Sequence, residues 1–430
     1  VGEAEEFPPG FEDVLNFRLS DALFGRRARR FFMGASIPDG YFEYTSEHEA
    51  MPLSELEQMT VLTAMGANTG WHNLIMRGEP YAPYLSNYAC TAGGRTFPSA
   101  AGFHTSEIFF TDDHGTYMLN TRDAPALARR KDDGTFYPEE LLEAHHSRIH
   151  KLYDGRLILP SETPHVEAHN TWVVNHPGTT LIIPVGDLAQ HVLAGLFYYT
   201  QNGVCFYDDV NGNQIDGIEQ FSDIVNTEEP FPITFLEMWS LAELSAELST
   251  ACYAGMLMLQ SMGLGGWMFD GIDPYSVLGA SGDPKVKGLG FRYDTDERWP
   301  LPNPTGIEGI FEGFTPPHYP DMRHAVDALM DRKFGRGGPF NPETPGYYED
   351  TPGVRASAKV PDEHFRECVA LQAQYIYDTF GKFPGTVPSI FVLTYLQAQH
   401  IDLDFYDRFY EKGAYLKTHA EHMKKWHPDR

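Results

Sequence analysis

The stretch "SMGLGGWMFDGIDPYSVLG", residues 261–279, decides how the chain folds. It closes the longest helical run in the sequence, residues 233–265, which follows Pro232 and is apolar nearly all round in its second half. A helix without a polar face belongs at the centre of a core. The run leaves through Gly263, Gly265 and Gly266, and an acidic–glycine pair, Asp270–Gly271, precedes a new helix start at Asp273–Pro274. Glycines let a backbone approach a planar ligand closely, and the N–H groups exposed there can reach its heteroatoms. Taken alone, the same letters also spell a tight helix–turn–helix.

Outward from this helix, helical and strand signals alternate. Residues 13–32 carry Leu15, Leu19 and Leu23 at helical spacing with Gly25 near the end, which predicts a helix. In "PLSELEQMTVLTAMGA" (52–67) Ser54 and Glu57 form a capping box, so a helix runs to about Gly66. Ile108–Phe110, a turn at Asp113–Gly115 and Tyr117–Leu119 predict a β-hairpin. "TTLIIPV" (179–185) is a short buried strand that leads into a helix through "DLAQHVLAGLFYYT", and "KVKGLGFRYD" (285–294) is a further strand. The charged, histidine-rich segment 121–178 is expected to be an insertion with one helix over "PEELLEAHHSRIHKLY" (138–153). Residues 296–352 are dense in Pro and Gly and predict ordered coil, and 361–428 is helical.

The chain has 430 residues with 60 Asp+Glu against 32 Lys+Arg, a formal net charge of −28. Such a field opposes long-range attraction to nucleic acid or an anionic membrane, so neither is expected as a partner. No stretch has the roughly 20 apolar residues of a membrane span. Nothing resembles a signal peptide, and the cytoplasm is the favoured compartment, although the chain begins at Val1. Cys90, Cys205, Cys252 and Cys368 lie far apart and form neither a zinc knuckle nor a disulfide scaffold.

Against this acidic background, "FGRRARRFF" (24–32) concentrates four arginines in five positions. It imitates a twin-arginine export signal, but the polar, turn-rich "MGASIPDGYFEYTSEHEA" follows where an apolar run would be needed. Guanidinium groups hold a phosphate with forked donors, and Phe31 and Phe32 would anchor the chain behind Arg26, Arg27 and Arg30. A solvated basic helix end is the competing explanation.

A third segment, "DDVNGNQIDGIEQF" (208–221), alternates oxygen donors at Asp209, Asn211 and Asn213, with Asp216 and Glu219 following. Hard cations such as Ca²⁺ want such ligands, but the spacing departs from an EF-hand and equally fits an Asn/Gly hairpin turn. His146 and His150 stand four apart on the expected 138–153 helix, a metal-type spacing without a third ligand; His145, His165, His169 and His176 accompany them. Trp71, Trp267, His104 and Tyr117 are candidate pocket walls or core residues.

Together, "RRARRFF", "PLSELEQMTVLTAMGA", "RTFPSAAGFHTSEIFF" and "GLGGWMFDGIDPYSVLG" resemble, in order, elements of the nitroreductase-like FMN flavoproteins. The PSAAG element is similar to that of the azoline (thiazole/oxazole) dehydrogenase branch. The resemblance implies an α+β fold: a mostly antiparallel sheet flanked by helices, with residues 13–120 and 179–295 as the flavin core, 121–178 inserted, and 296–430 as a wrap and helical extension. It implies FMN as cofactor, ping-pong hydride or electron transfer to a small-molecule or peptide substrate, and a homodimer. Arg26, Arg27 and Arg30 would hold the phosphate and ribityl chain, Ser99 would line the flavin, Asp270 and Gly271 would approach its N5, and Asn68 in "NTGW" is a further contact. Ala28 replaces the usual Ser, and Lys333 or Arg336 would have to supply the later basic residue. These departures support an alternative, a flavin-free structural or partner-binding subunit stabilised by Ca²⁺.

Overall fold

The computed structural model describes residues 7–69, 94–122 and 128–430. Trp71, the Gly70 beside it and Cys90 therefore lie outside the described residues, and Asn68 is the part of "NTGW" that the structure places.

The described chain opens with α1 (Pro9–Asn16) and α2 (Leu19–Gly25), then a small antiparallel pair, β1 (Ser36–Ile37) and β2 (Tyr44–Thr45), before α3 (Glu55–Gly66). The expected 13–32 helix is thus two helices and an extended strip. Asn16 turns its side-chain amide back to the carbonyl of Glu12, and Asp21 grips Arg18 through two hydrogen bonds at 2.8 and 3.1 Å. These local bonds compete with the helical ladder at Phe17–Arg18, and Leu15, Leu19 and Leu23 end up exposed. The capping box at α3 forms in full: Ser54 accepts from Glu57 N, and Glu57 accepts from Ser54 N at 2.6 Å.

β3 (Ser106–Thr111) and β4 (Gly115–Leu119) make the expected hairpin. α4 (Pro138–His146) ends early, and β5 (Ile149–Asp154) pairs with β4. His146 and His150 therefore share no helix face: His146 pairs with Glu55 at 2.7 Å while His150 stands on the strand opposite Met118. The second half of that helix-like sequence is a strand because β4 supplies a partner that local periodicity cannot reveal.

β6 (Thr180–Asp187) runs into α5 (Leu188–Gln201), with the Asp187 side chain accepting from Gln190 N as N-cap. β7 (Val204–Asp208), β8 (Asn213–Gln214) and β9 (Asn226–Pro232) form a three-stranded sheet that leads into α6 (Ile233–Met262). β10 (Gly265–Phe269) and α7 (Pro274–Leu278) follow, then a second small sheet of β11 (Arg292–Asp294), β12 (Asn303–Ile307) and β13 (Phe311–Glu312). The remainder is α8 (Met322–Phe334), α9 (Thr351–Ala356), α10 (Glu363–Phe380), β14 (Ile390–Phe391), β15 (Tyr395–Gln399), α11 (Leu403–Phe409) and α12 (Lys417–Trp426).

The central sheet has the order β10-β15-β6-β3-β4-β5, with β14 also pairing β6, and every pairing in it is antiparallel. It draws strands from all three sequence segments: β5 from 121–178, and β14 and β15 from 296–430. Both faces are buried at its centre, where every residue of β3 and β6 is buried, while the edge strand β5 is largely exposed. Leu181, Ile183 and Val185 of β6 join one apolar cluster with Phe109 and Tyr395, and Ile182 joins the opposite one with Ile108, Phe110 and Leu396. That is the period-2 alternation of a strand with a core on either side. α6 spans about 45 Å at the helical rise. Its first half packs on α5 in an apolar cluster that α8 and α10 complete, and its second half packs with α3 against the sheet. The fold is α+β, a mostly antiparallel sheet flanked by helices, with a helical C-terminal region that also returns strands to the sheet.

Candidate functional site

Past Gly25 the chain becomes extended, and the arginine strip lies antiparallel to the free side of β10, with bridges Arg29↔Gly266 and Phe32↔Ile401. Alternation along this strip separates the four arginines. Arg29 is buried and spends its guanidinium on Gln260 Oε1 (2.6 Å) and the carbonyls of Ala414 (3.0 Å) and Gly25 (3.2 Å); burial lowers its pKa to about 10. It pins the strip to the end of α6. Phe31 and Phe32 are buried beside it, with Phe31 stacked on Phe405 at 4.1 Å. The anchoring role expected of the two phenylalanines is what the packing shows.

Arg30 points elsewhere. Its guanidinium carbon lies 4.8 Å from the ring centre of Trp267 and 5.5 Å from that of Trp172, and its buried Nε has no hydrogen-bond acceptor among the described residues. Burial lowers its pKa from the ordinary arginine value. Among the described residues Arg26 reaches Met256 Sδ, at 3.9 Å, and Arg27 donates to the carbonyls of Phe24 and Arg26. Among the described residues none of these three has a carboxylate partner, in a chain with 60 acidic side chains.

From Trp267 the strand leads directly to Asp270–Gly271, with Phe269 stacked on Trp267 at 5.0 Å. Gly271 has φ +81°, and a Cβ there would stand 2.6 Å from Asn170 Nδ2. Asn170 donates to the Asp270 carbonyl at 2.8 Å, Glu167 N to the Gly271 carbonyl at 3.0 Å, and Tyr395 Oη to the Ile272 carbonyl at 3.2 Å. The carbonyls are thus held from behind, while the N–H groups of Asp270 and Gly271 donate to no acceptor among the described residues. Arg30, Asp270 and Gly271 line one edge of the sheet.

Ser99 and Asn68 stand apart from that edge. Ser99 and Ser106 both donate to the Glu247 carboxylate of α6 at 2.5 Å. Glu247 is nine residues from Met256, the contact of Arg26, which is about 14 Å along the helix. Burial pushes the Glu247 carboxyl up, opposed by the two serines and Arg95. Asn68 donates its backbone N–H to His145 Nε2 at 3.3 Å and bridges Arg95. Beside them, Arg122 is buried between Glu107 (3.0 Å) and Asp187 (2.9 Å). Lys333 is buried on α8, whose Leu329 and Met330 join the apolar cluster of the first half of α6, whereas the arginine strip meets α6 at Met256 and Gln260.

The five oxygen donors of the 208–221 loop do not share one centre in their hydrogen bonding. Asp209 accepts from Thr234 at the start of α6, and Asn211 donates to Asp208 at 2.7 Å; Asn213 pairs with Asp208 across the β7–β8 turn. Asp216 and Glu219 follow that turn, Glu219 in a short helical turn and exposed.

One group was invisible to local reading. Glu57 Oε1 lies 3.2 Å from His400 Nε2, 2.8 Å from His422 Nε2 and 2.9 Å from His427 Nε2. Glu57 was legible as a helix cap; its three partners arrive from more than 340 residues downstream, a separation no spacing motif spans.

No family model matches the chain, and no curated protein matches it. Among solved structures it is similar to a Ralstonia eutropha protein provisionally named a nitroreductase, at 12% identity and a TM-score of 0.28, over 64% of this chain and 75% of that one.

Proposed function

We propose that this chain is an FMN-dependent oxidoreductase of nitroreductase type, with the phosphate end of the flavin at Arg26, Arg27 and Arg30. The observation that carries this reading is Arg30: a half-buried cation against two tryptophan rings, with a buried donor that has no acceptor among the described residues. A desolvated guanidinium in that state is costly unless an anion joins it. The donor chemistry of the strip fits a phosphate. Asp270 and Gly271, whose N–H groups meet no acceptor among the described residues, would meet the ring edge, and Trp267 offers an apolar wall. Ser99 is less suited, since its hydroxyl proton is committed to Glu247.

Bound FMN would supply the hydride- or electron-transfer chemistry itself. The protein's share is to neutralise the phosphate, orient the ring and exclude water. The reading carries a homodimer with it: Leu15, Leu19, Leu23 and Phe24, exposed just before the arginines, are the apolar surface a second copy would cover. Substrate class follows as a small molecule or a peptide.

The test is a fluorescence-quenching titration with FMN and with riboflavin, which lacks the phosphate. FMN is expected to bind at least about tenfold tighter, since one charge-assisted hydrogen bond contributes about 1.5–3 kcal/mol. An Arg26→Ala/Arg30→Ala double variant should erase that preference. Equal binding of the two flavins, or no binding of either, contradicts the reading.

A further inference from the structure

We propose that Glu57, His400, His422 and His427 form a site for one divalent transition ion of the zinc class, which clasps the C-terminal helix to the core. The four donor atoms lie within 4.8 Å of one another. Donors on a tetrahedron with bonds of about 2.0–2.1 Å stand about 3.3 Å apart, close to the 3.2, 2.8 and 2.9 Å between Glu57 Oε1 and the three ring nitrogens.

The direction in which the ring nitrogens face carries the inference. His400 Nδ1 lies 2.9 Å from the Met51 carbonyl, and His422 Nδ1 lies 2.8 Å from the Met262 carbonyl. A carbonyl oxygen only accepts, so both Nδ1 atoms hold their protons. In the neutral ring Nε2 is then a bare lone pair, and both lone pairs face a carboxylate oxygen that is itself an acceptor. His422 Nε2 comes within 2.8 Å of Glu57 Oε1 yet is buried with no hydrogen-bond partner among the described residues. The cluster is nearly closed to water, with side-chain exposures of 0% for Glu57, 1% for His400, 4% for His422 and 12% for His427. One divalent ion satisfies every lone pair at once.

The surroundings fit a metal centre. Ring N–H groups held by backbone carbonyls are the usual outer-shell arrangement of ligating histidines. Glu57 Oε2 is occupied by the Ser54 N–H at 2.6 Å, which leaves Oε1 as a single, oriented ligand. Three imidazoles and one carboxylate suit zinc-class ions, whereas Ca²⁺ and Mg²⁺ want oxygen throughout. Four protein ligands make a closed, structural site rather than one with an open position. The ligands come from α3, from the residue after β15, from α12 and from its C-cap, so the ion would close a loop of 370 residues. Cross-links that close long loops gain the most from chain entropy.

The experiment is independent of flavin binding. The full chain is purified, its metal content measured by mass spectrometry, and the chelator-stripped protein titrated with Zn²⁺ and with Co²⁺. Expected are one equivalent per chain, a visible Co²⁺ ligand-field band, and a rise in melting temperature with Zn²⁺. His427→Ala, the least buried ligand, and Glu57→Gln, which keeps an acceptor for Ser54 N–H, should each weaken Zn²⁺ binding about 100-fold or more while circular dichroism confirms folding. A folded wild-type chain that takes up neither ion, or folded variants that bind Zn²⁺ as tightly as wild type, overturns the proposal.

Discussion

Arg29 and Arg30 are neighbours with opposite fates, and the difference is geometric. Extended backbone sends one into a nest of carbonyls and the other between two indoles. The sequence shows four adjacent arginines but not which of them is spent on structure, because the acceptors, Gln260 and Ala414, are over 200 residues away. Gly271 was legible sooner. Its φ of +81° and the 2.6 Å approach of Asn170 leave no room for a side chain. Gly271→Ala should destabilise the protein by about 1–3 kcal/mol, read as a lower denaturant midpoint with unchanged slope. A midpoint equal to wild type would show that the elbow is not held in this conformation.

At the scale of elements, the capped and strongly patterned pieces were readable: α3 from its capping box, α6 from its continuous apolar run, the β3–β4 hairpin from its turn. Ser54→Ala removes the cap acceptor for Glu57 N and should cost about 1 kcal/mol of stability in thermal or chemical unfolding; no measurable change would mean that the α3 end frays already. What failed to show were pieces whose state depends on a distant partner. Residues 149–154 have helix-compatible letters but become β5 because β4 has an open edge beside them. The 296–430 segment hides β15, which lies between β10 and β6. A chain truncated after residue 295 would therefore lose the strand between two others and expose Leu396's partners Ile182 and Leu259. It should not fold cooperatively; a sharp, wild-type-like melting transition would contradict the topology.

At the scale of the whole molecule, acid sensitivity follows from a histidine buried in α5. Burial drives His191 from its ordinary 6.5 down to about 3, with Glu243 3.7 Å away too weakly placed to reverse it. Its folded pKa is below the unfolded one, so the unfolded chain binds the extra proton and stability falls as pH drops from about 6.5 towards 3. His191→Gln should flatten the stability–pH curve in that window; an unchanged slope would show that His191 titrates alike in both states. At this same scale, a net charge of −28 contrasts with an arginine strip that meets no carboxylate among the described residues. That contrast is the reason to look for a bound phosphate there.

The most direct measurement is the visible absorption spectrum of the purified protein, followed by release of any chromophore and determination of its mass. The account predicts oxidised-flavin bands, a released species with the mass of FMN, and loss of both in the Arg26→Ala/Arg30→Ala variant. A colourless protein that also fails to take up added FMN would contradict it.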